Sequence, residues 1–360
     1  MLLADVEVDR DFPVRAALEV ADGERVALFG PSGAGKTTVL EAIAGLVAPR
    51  QGRVELADRV LTSTAPRPVA VAPWQRRVGL LRQDPGLFPH LSVRANLRYA
   101  RSARRTGQEA SEFDTLTRVL GIEELLDAMP ARLSGGQRHR VALGRLLLAR
   151  CDALLLDEPF ASLDAALRRT LTALVARLVT ERSIPSVLVT HQLTDAQAFA
   201  DRIAVLDRGE VLQQGTPDEV VLRPASRRAA ELVGYLGFVP VPGGQGGRDG
   251  TVAGVHPERV IPGAEPGRGL VVTGTVTARR PSGAAWEADV LAGGAPFTCR
   301  LPERPPDGQL PGAQLPGAQL PGAQLTVTVL DPPWFGPDGT LLAGSAVAAP
   351  AALPARPADT

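Results

Sequence analysis

The stretch "LFGPSGAGKTTVL", residues 28–40, joins a short apolar run, "RVALFG" (25–30), to a segment of helical spacing, "KTTVLEAIAGL" (36–46), that ends near Gly45. An apolar strand, a glycine-rich turn and a helix in that order make a phosphate cradle. Its glycines let backbone N–H groups face anionic oxygens, and the helix N-terminus adds a favourable dipole. Residues 30–37, "GPSGAGKT", fit the G-x-x-x-x-G-K-[ST] pattern. The candidate phosphate contacts are Gly30, Pro31, Ser32, Gly33, Ala34, Gly35, Lys36, Thr37 and Thr38. Lys and Arg total 39, and Lys36 is the sole lysine. A slim, point-like ammonium threads between amides and phosphate oxygens where a planar guanidinium is too wide. The cradle therefore explains why one lysine stands among arginines.

Working outward, the segment 1–235 reads as alternating strands and helices. "ALLLDE" (153–158) and "SVLVTH" (186–191) are continuous apolar runs that stop at polar residues, and "RIAVLDRGEVLQQG" (202–215) reads as a hairpin turning at 207–209. Such runs predict a mostly parallel sheet covered on both faces, an α/β architecture. Residues 84–150 are helix-rich by pattern and predict a helical subdomain. "VPVPGGQGGRDG" (239–250) reads as a linker. Beyond it, "LVVTGTVTARR" (270–280), "AWEADVLAGG" (285–294) and "QLTVTVLD" (324–331) predict a small all-β domain over 251–344. The five-residue repeat "PGAQL" at 311–325 is too short for a solenoid and reads as a lengthened loop. The Ala/Pro-rich segment 345–360 predicts disorder.

The 360 residues suffice for two or three domains, and 44% hydrophobic residues suffice for a sizeable core. Acidic residues number 39, so the net charge is zero, which disfavours a sequence-independent grip on nucleic acid. The basic cluster "RSARRTG" (101–107) reads as solvated surface. Cys151 and Cys299 have no metal spacing and imply no disulfide framework. With no run of eighteen apolar residues and no signal pattern, the chain is expected neither to span a membrane nor to be exported.

"ALLLDEP" (153–159) supplies the second half of a phosphate site: Asp157 at a strand end to hold Mg²⁺, then Glu158 to orient or deprotonate a water. "LSGGQ" (133–137), just ahead of a helical run, makes a second anion cradle that one chain with one phosphate loop does not need. "GPSGAGKT", "LSGGQ", "LLLDEP", the "SLD" of 162–164 and His191 stand in the order found in ATP-binding cassette (ABC) ATPases, which segment 1–235 resembles.

The resemblance implies a P-loop NTPase cassette that binds ATP and Mg²⁺ and works as a head-to-tail homodimer. Each signature loop then closes on the nucleotide of the other copy. Ser134, Gly135, Gly136 and Gln137 are expected at the partner's γ-phosphate, with Asp164 linking the two sites. Glu158, His191 and Gln83 are expected to be catalytic, His191 at the γ-phosphate and Gln83 sensing Mg²⁺ or water. Thr37, Gln83 and Asp157 are the expected metal-side residues. His139 and Arg82 depart from the usual residues, glutamine and an aromatic, without touching the expected chemistry. Phe12, the only aromatic ahead of residue 28, is open to two readings: a ring stacked on adenine, or a core residue.

"RRVGLLRQDPGLFPHLSVRANLRYA" (76–100) is similar to the glutamine-loop stretch of importer ATPases, with wording most like the molybdate importers. Segment 251–344 resembles their TOBE domain, an oligonucleotide-fold-like barrel. The implied protein is a peripheral ATPase on the cytoplasmic face of the cell membrane. It would dock on two integral-membrane permease subunits and be fed by an extracytoplasmic solute-binding protein. Importers of sulfate, ferric iron or polyamines, and non-transport cassette ATPases, are the alternatives.

Overall fold

The structure, a computed structural model, describes residues 1–99, 107–161, 163–241, 250–265, 267–283, 285–302 and 321–342. Most of the 101–107 cluster, Ser162, most of the 239–250 linker, the repeat up to residue 320 and the 345–360 tail lie outside the described residues. The chain divides into two compact units, Met1–Pro217 and Asp218–Thr360. Residues 218–235, read from sequence as the end of the cassette, fall with the second unit.

The first unit is built on a six-stranded sheet in the order Glu210–Gly215, Arg202–Asp207, Arg25–Phe29, Ser186–Thr190, Ala153–Asp157, Val78–Leu81. The first pair is antiparallel, through the expected hairpin, and the other four pairings are parallel. Ala153–Asp157 and Ser186–Thr190 are buried at every position, which is why they read as unbroken apolar runs. Register fixes where the chemistry emerges. Phe29 pairs with Thr190, Asp157 with Val189, and Leu81 with Leu156. The residues that follow these ends (Gly30, His191, Glu158 and Gln83) therefore leave the sheet at one carboxyl edge, the usual ligand edge of open α/β sheets.

A second sheet of the first unit was not anticipated from sequence. Leu2–Asp9, Pro13–Val20, Gln51–Leu56, Arg59–Ser63 and Val69–Ala70 form an antiparallel sheet with Pro13–Val20 at one edge. Its signal was present as strict alternation: Leu2, Ala4, Val6 and Val8, then Val14, Ala16, Leu18 and Val20, all face inward. They join one core with Val39, Leu40, Ala42 and Ile43 of the helix Lys36–Ala44. That helix is thus clamped between two sheets, and the phosphate loop at its start is held at both ends. Gly45 ends it in a left-handed conformation (φ 79°), with its N–H returned to Ala42 O and Glu41 O.

The helix-rich stretch holds Val93–Tyr99, Gly107–Val119 and Gly135–Leu148. The second unit is all antiparallel where it forms sheets. A three-stranded sheet (Phe238–Pro240, Val252–Gly254, Trp334–Phe335) accompanies a five-stranded one. The latter runs Val260–Pro262, Gln324–Leu330, Gly269–Ser282, Ala285–Ala292, Ala295–Pro302. The three strands expected from sequence are all present. Val272, Val290, Phe297, Cys299 and Val327 are among its core residues. Among the described residues no helix is long and apolar enough to cross a membrane.

Candidate nucleotide site

The phosphate loop runs from the end of Arg25–Phe29 to the start of Lys36–Ala44. Gly30 is required by close approach, since a Cβ there would lie 2.0 Å from the Leu206 carbonyl oxygen. Gly35 is required by conformation (φ 102°), and a Cβ there would meet Val14 at 2.7 Å. Lys36 is 7% exposed, and its Nζ donates to Gly30 O at 2.9 Å and Pro31 O at 2.8 Å. Burial lowers its pKa below the usual lysine value, while the nearby Glu158 and Asp157 carboxylates pull the other way.

Thr37 Oγ1 donates to Asp157 Oδ2 at 2.8 Å, joining the first helical turn to the end of Ala153–Asp157. Burial raises the Asp157 pKa above the usual carboxylate value. The Thr37 hydroxyl and Lys36 oppose the rise, and Glu158 adds to it. Glu158 has φ 51°, a left-handed conformation uncommon for a residue with a Cβ. Its N–H bonds Val189 O at 3.0 Å. The turn swings the side chain across to His191, whose backbone N–H and ring Nδ1 both meet Glu158 Oε1, at 3.0 and 2.6 Å. A carboxylate only accepts, so Nδ1 carries the proton in this pairing. Gln83 lies exposed in the bend after Val78–Leu81, on the same sheet edge.

Ser134 caps Gly135–Leu148 with a reciprocal box. Its Oγ accepts from Gln137 N at 3.2 Å, while Gln137 Oε1 accepts from Ser134 N at 2.8 Å. A Cβ on Gly135 would meet nothing within 4 Å, so this loop presents open backbone. Asp164 caps Ala165–Arg182 by accepting from Ala166 N and Leu167 N, both at 3.0 Å. These backbone bonds, Leu167 foremost, lower its pKa. The structure thus brings Lys36, Thr37, Asp157, Glu158 and His191 to one sheet edge, with Thr37 bonded to Asp157 and His191 to Glu158, and places Ser134 and Asp164 at exposed helix starts.

Phe12 is partly buried. It packs against the core beneath, and it also lines a cavity of about 450 Å³ with Pro31, Ser32, Gly33, Ala34, Asp207 and Arg208. Sequence reasoning missed Asp207 and Arg208 at this cavity, because only the hairpin turn brings them beside the phosphate loop. His139 is nearer the chemistry than expected. It is buried, and its ring bonds the backbone of Pro159, the residue after Glu158. Burial lowers its pKa, and the Pro159 bond opposes this.

Residues 15–161 match the family model described as ABC transporter. The chain is 47% identical over 194 residues to the molybdenum import ATP-binding protein ModC of Salmonella typhi and to that of Escherichia coli K12, covering 54% of this chain and 54% of each relative. It therefore spans about half the length of the curated relatives it matches. Among solved structures, the ATP-binding subunit of an ABC transporter matches at 26% identity and TM-score 0.55, over 65% of this chain and 95% of that one. A dimeric ATP-binding cassette in a post-hydrolysis state with ADP and Pi matches at 26% and TM-score 0.51, over 60% of this chain and 99% of that one. The α/β fold of the first unit is that of an ABC ATPase cassette.

Proposed function

We propose that this chain is the ATP-hydrolysing subunit of an ABC importer that energises molybdate uptake from the cytoplasmic face of the cell membrane. The observation that carries the substrate is the 47% identity to molybdenum import ATP-binding proteins, which runs over 194 residues. The Thr37–Asp157 and His191–Glu158 pairs beside Lys36 support the chemistry.

An ammonium has three donors, and Lys36 directs two at Gly30 O and Pro31 O, which aims the third into the loop for a phosphate oxygen. Thr37 spends its proton on Asp157, leaving hydroxyl lone pairs beside a carboxylate. That pair of hard oxygens fits Mg²⁺, which is held by one or two carboxylates together with substrate phosphates. Thr37 and Asp157 would hold the ion, with Gln83 at the same edge, and when bound it neutralises charge on the phosphoryl group being transferred. Glu158 Oε1 is occupied by the two His191 bonds, so Oε2 is the atom free to take a proton from the attacking water. His191 is the residue that would meet the γ-phosphate, a contact that requires an Nε2–H donor because a phosphate oxygen only accepts. Positioning and charge supply most of the rate.

The site is completed by a second copy, whose Ser134, Gly135, Gly136 and Gln137 close on the γ-phosphate while Asp164 joins the two sites. Closure of the homodimer drives two permease subunits, loaded by a solute-binding protein, and hydrolysis resets them. Segment 251–344, within the second unit, is a TOBE-like domain with a dimer-stabilising or regulatory role. The test is uptake of labelled molybdate by the host strain. Deleting this chain should abolish uptake at low external molybdate and leave sulfate, iron and polyamine uptake intact. Loss of one of those instead would reassign the substrate.

A further inference from the structure

Glu41 is a buried carboxylate, 7% exposed, among the mostly apolar buried positions of the helix Lys36–Ala44. Burying a carboxylate is unfavourable unless it is paired, and Glu41 has two partners. Its Oε2 lies 2.7 Å from Arg10 and its Oε1 3.3 Å from Arg82. Both partners come from segments that border the nucleotide site. Arg10 sits in the turn that carries Phe12, and its N–H reaches Phe12 O at 3.4 Å. Arg82 directly precedes Gln83. The far side of the glutamine loop has its own tether: Arg145 of Gly135–Leu148 donates to Gly86 O at 3.0 Å and Pro85 O at 3.4 Å.

We propose that Glu41 is a positioning residue: it sets Gln83 against the phosphate loop through Arg82 and relays occupancy of the Phe12 cavity to Gln83 through Arg10. This rests on the nucleotide-site reading above. The two guanidinium groups meet different oxygens of one rigid carboxylate, so a rotation of Glu41 that follows Arg10 also moves the oxygen that Arg82 meets. A nucleotide that shifts the Phe12 turn therefore changes the hold on Arg82. Neither Glu41 nor Arg82 is among the residues lining the Phe12 cavity, and Arg82 adjoins Gln83, so their effect passes through Gln83.

The experiment is hydrogen exchange over residues 82–88 of the whole chain, with and without ATP·Mg²⁺, alongside ATP affinity and steady-state kinetics. In the unmodified chain, nucleotide slows exchange there. Glu41→Gln and Arg82→Gln should bind ATP within threefold of the unmodified Kd, lose that slowing, and show about fivefold lower kcat at unchanged KM. Arg82→Lys, which keeps a charge, should recover most of both. Slowing that persists in both variants would overturn the role of Glu41 while leaving the site intact. An equal tenfold loss of ATP affinity and of melting stability in exposed Arg82→Gln would also overturn it, by making the effect one of folding. Failure of the unmodified chain to bind ATP would remove the site and this inference together.

Discussion

Replacing Glu158 with glutamine separates binding from chemistry in this site, because the structure shows which bonds survive. Glu158 Oε1 accepts from His191 N–H and Nδ1–H at 3.0 and 2.6 Å, and a glutamine Oε1 can accept both. The loss is one of charge assistance, about 1 kcal/mol, which lowers the melting temperature by roughly 2–4 °C in a unit of this size. The atom that changes character is Oε2, which becomes an amide nitrogen unable to accept a proton. A positioned general base contributes about 10²–10⁴ in rate, or about 2.7–5.4 kcal/mol of barrier. Single-turnover hydrolysis should therefore fall by at least a hundredfold while ATP affinity stays within a fewfold, and the ATP-bound dimer should accumulate on a sizing column. Glu158→Ala is the contrast, losing the His191 tether as well as the base. More than a tenth of normal turnover in Glu158→Gln would refute the assignment of Oε2.

Lys36→Arg should keep the fold and weaken ATP binding. The misplaced charge-assisted contact is worth about 1.5–3 kcal/mol, roughly 10- to 150-fold by calorimetry, and near-normal affinity would contradict the slim-cation reading. Ser134→Arg should leave ATP binding by the single chain intact and abolish cooperative hydrolysis. Mixed with Lys36→Ala it should restore one composite site, and failure to do so would count against a site shared between copies. The raised Asp157 pKa has a definite sign. A carboxyl raised in the folded state contributes stability that is present below its usual value of 3.8 and is lost as pH rises through the raised value. The melting temperature of Asp157→Asn relative to the unmodified chain should therefore climb across that window and level off above it. A flat or falling difference would place the perturbation elsewhere.

How much of this was legible in the sequence depends on how local each signal is. The strand, loop and helix around Lys36 lie within 22 residues (25–46) and follow from periodicity and two glycines, so they were read correctly down to the Gly45 cap. Asp157 and Glu158 were found because an apolar strand announces its own end. The antiparallel sheet was overlooked although the alternation of Leu2–Asp9 and Pro13–Val20 was there to read. The contacts that organise the site were out of reach. Glu158 and His191 are brought together by strand register, and Glu41 meets Arg10 and Arg82 across two sheets and a helix. The first compact unit ends at Pro217, and the short helices Pro217–Leu222 and Arg227–Leu232 carry no local sequence signal of the unit they pack in.

The solitary lysine has a practical consequence for anyone handling this protein. A protease that cuts only after lysine has a single cleavage point in the whole sequence, between residues 36 and 37, and the side chain it must grip is 7% exposed with its amine held by two carbonyls. Cleavage requires the start of a clamped helix to unwind into the protease, so it reports local opening of that one loop. The gel is correspondingly simple: an intact band, or fragments 1–36 and 37–360. Integrity of the phosphate cradle can thus be followed with the purified chain, in any variant that keeps Lys36, without a label and without measuring turnover.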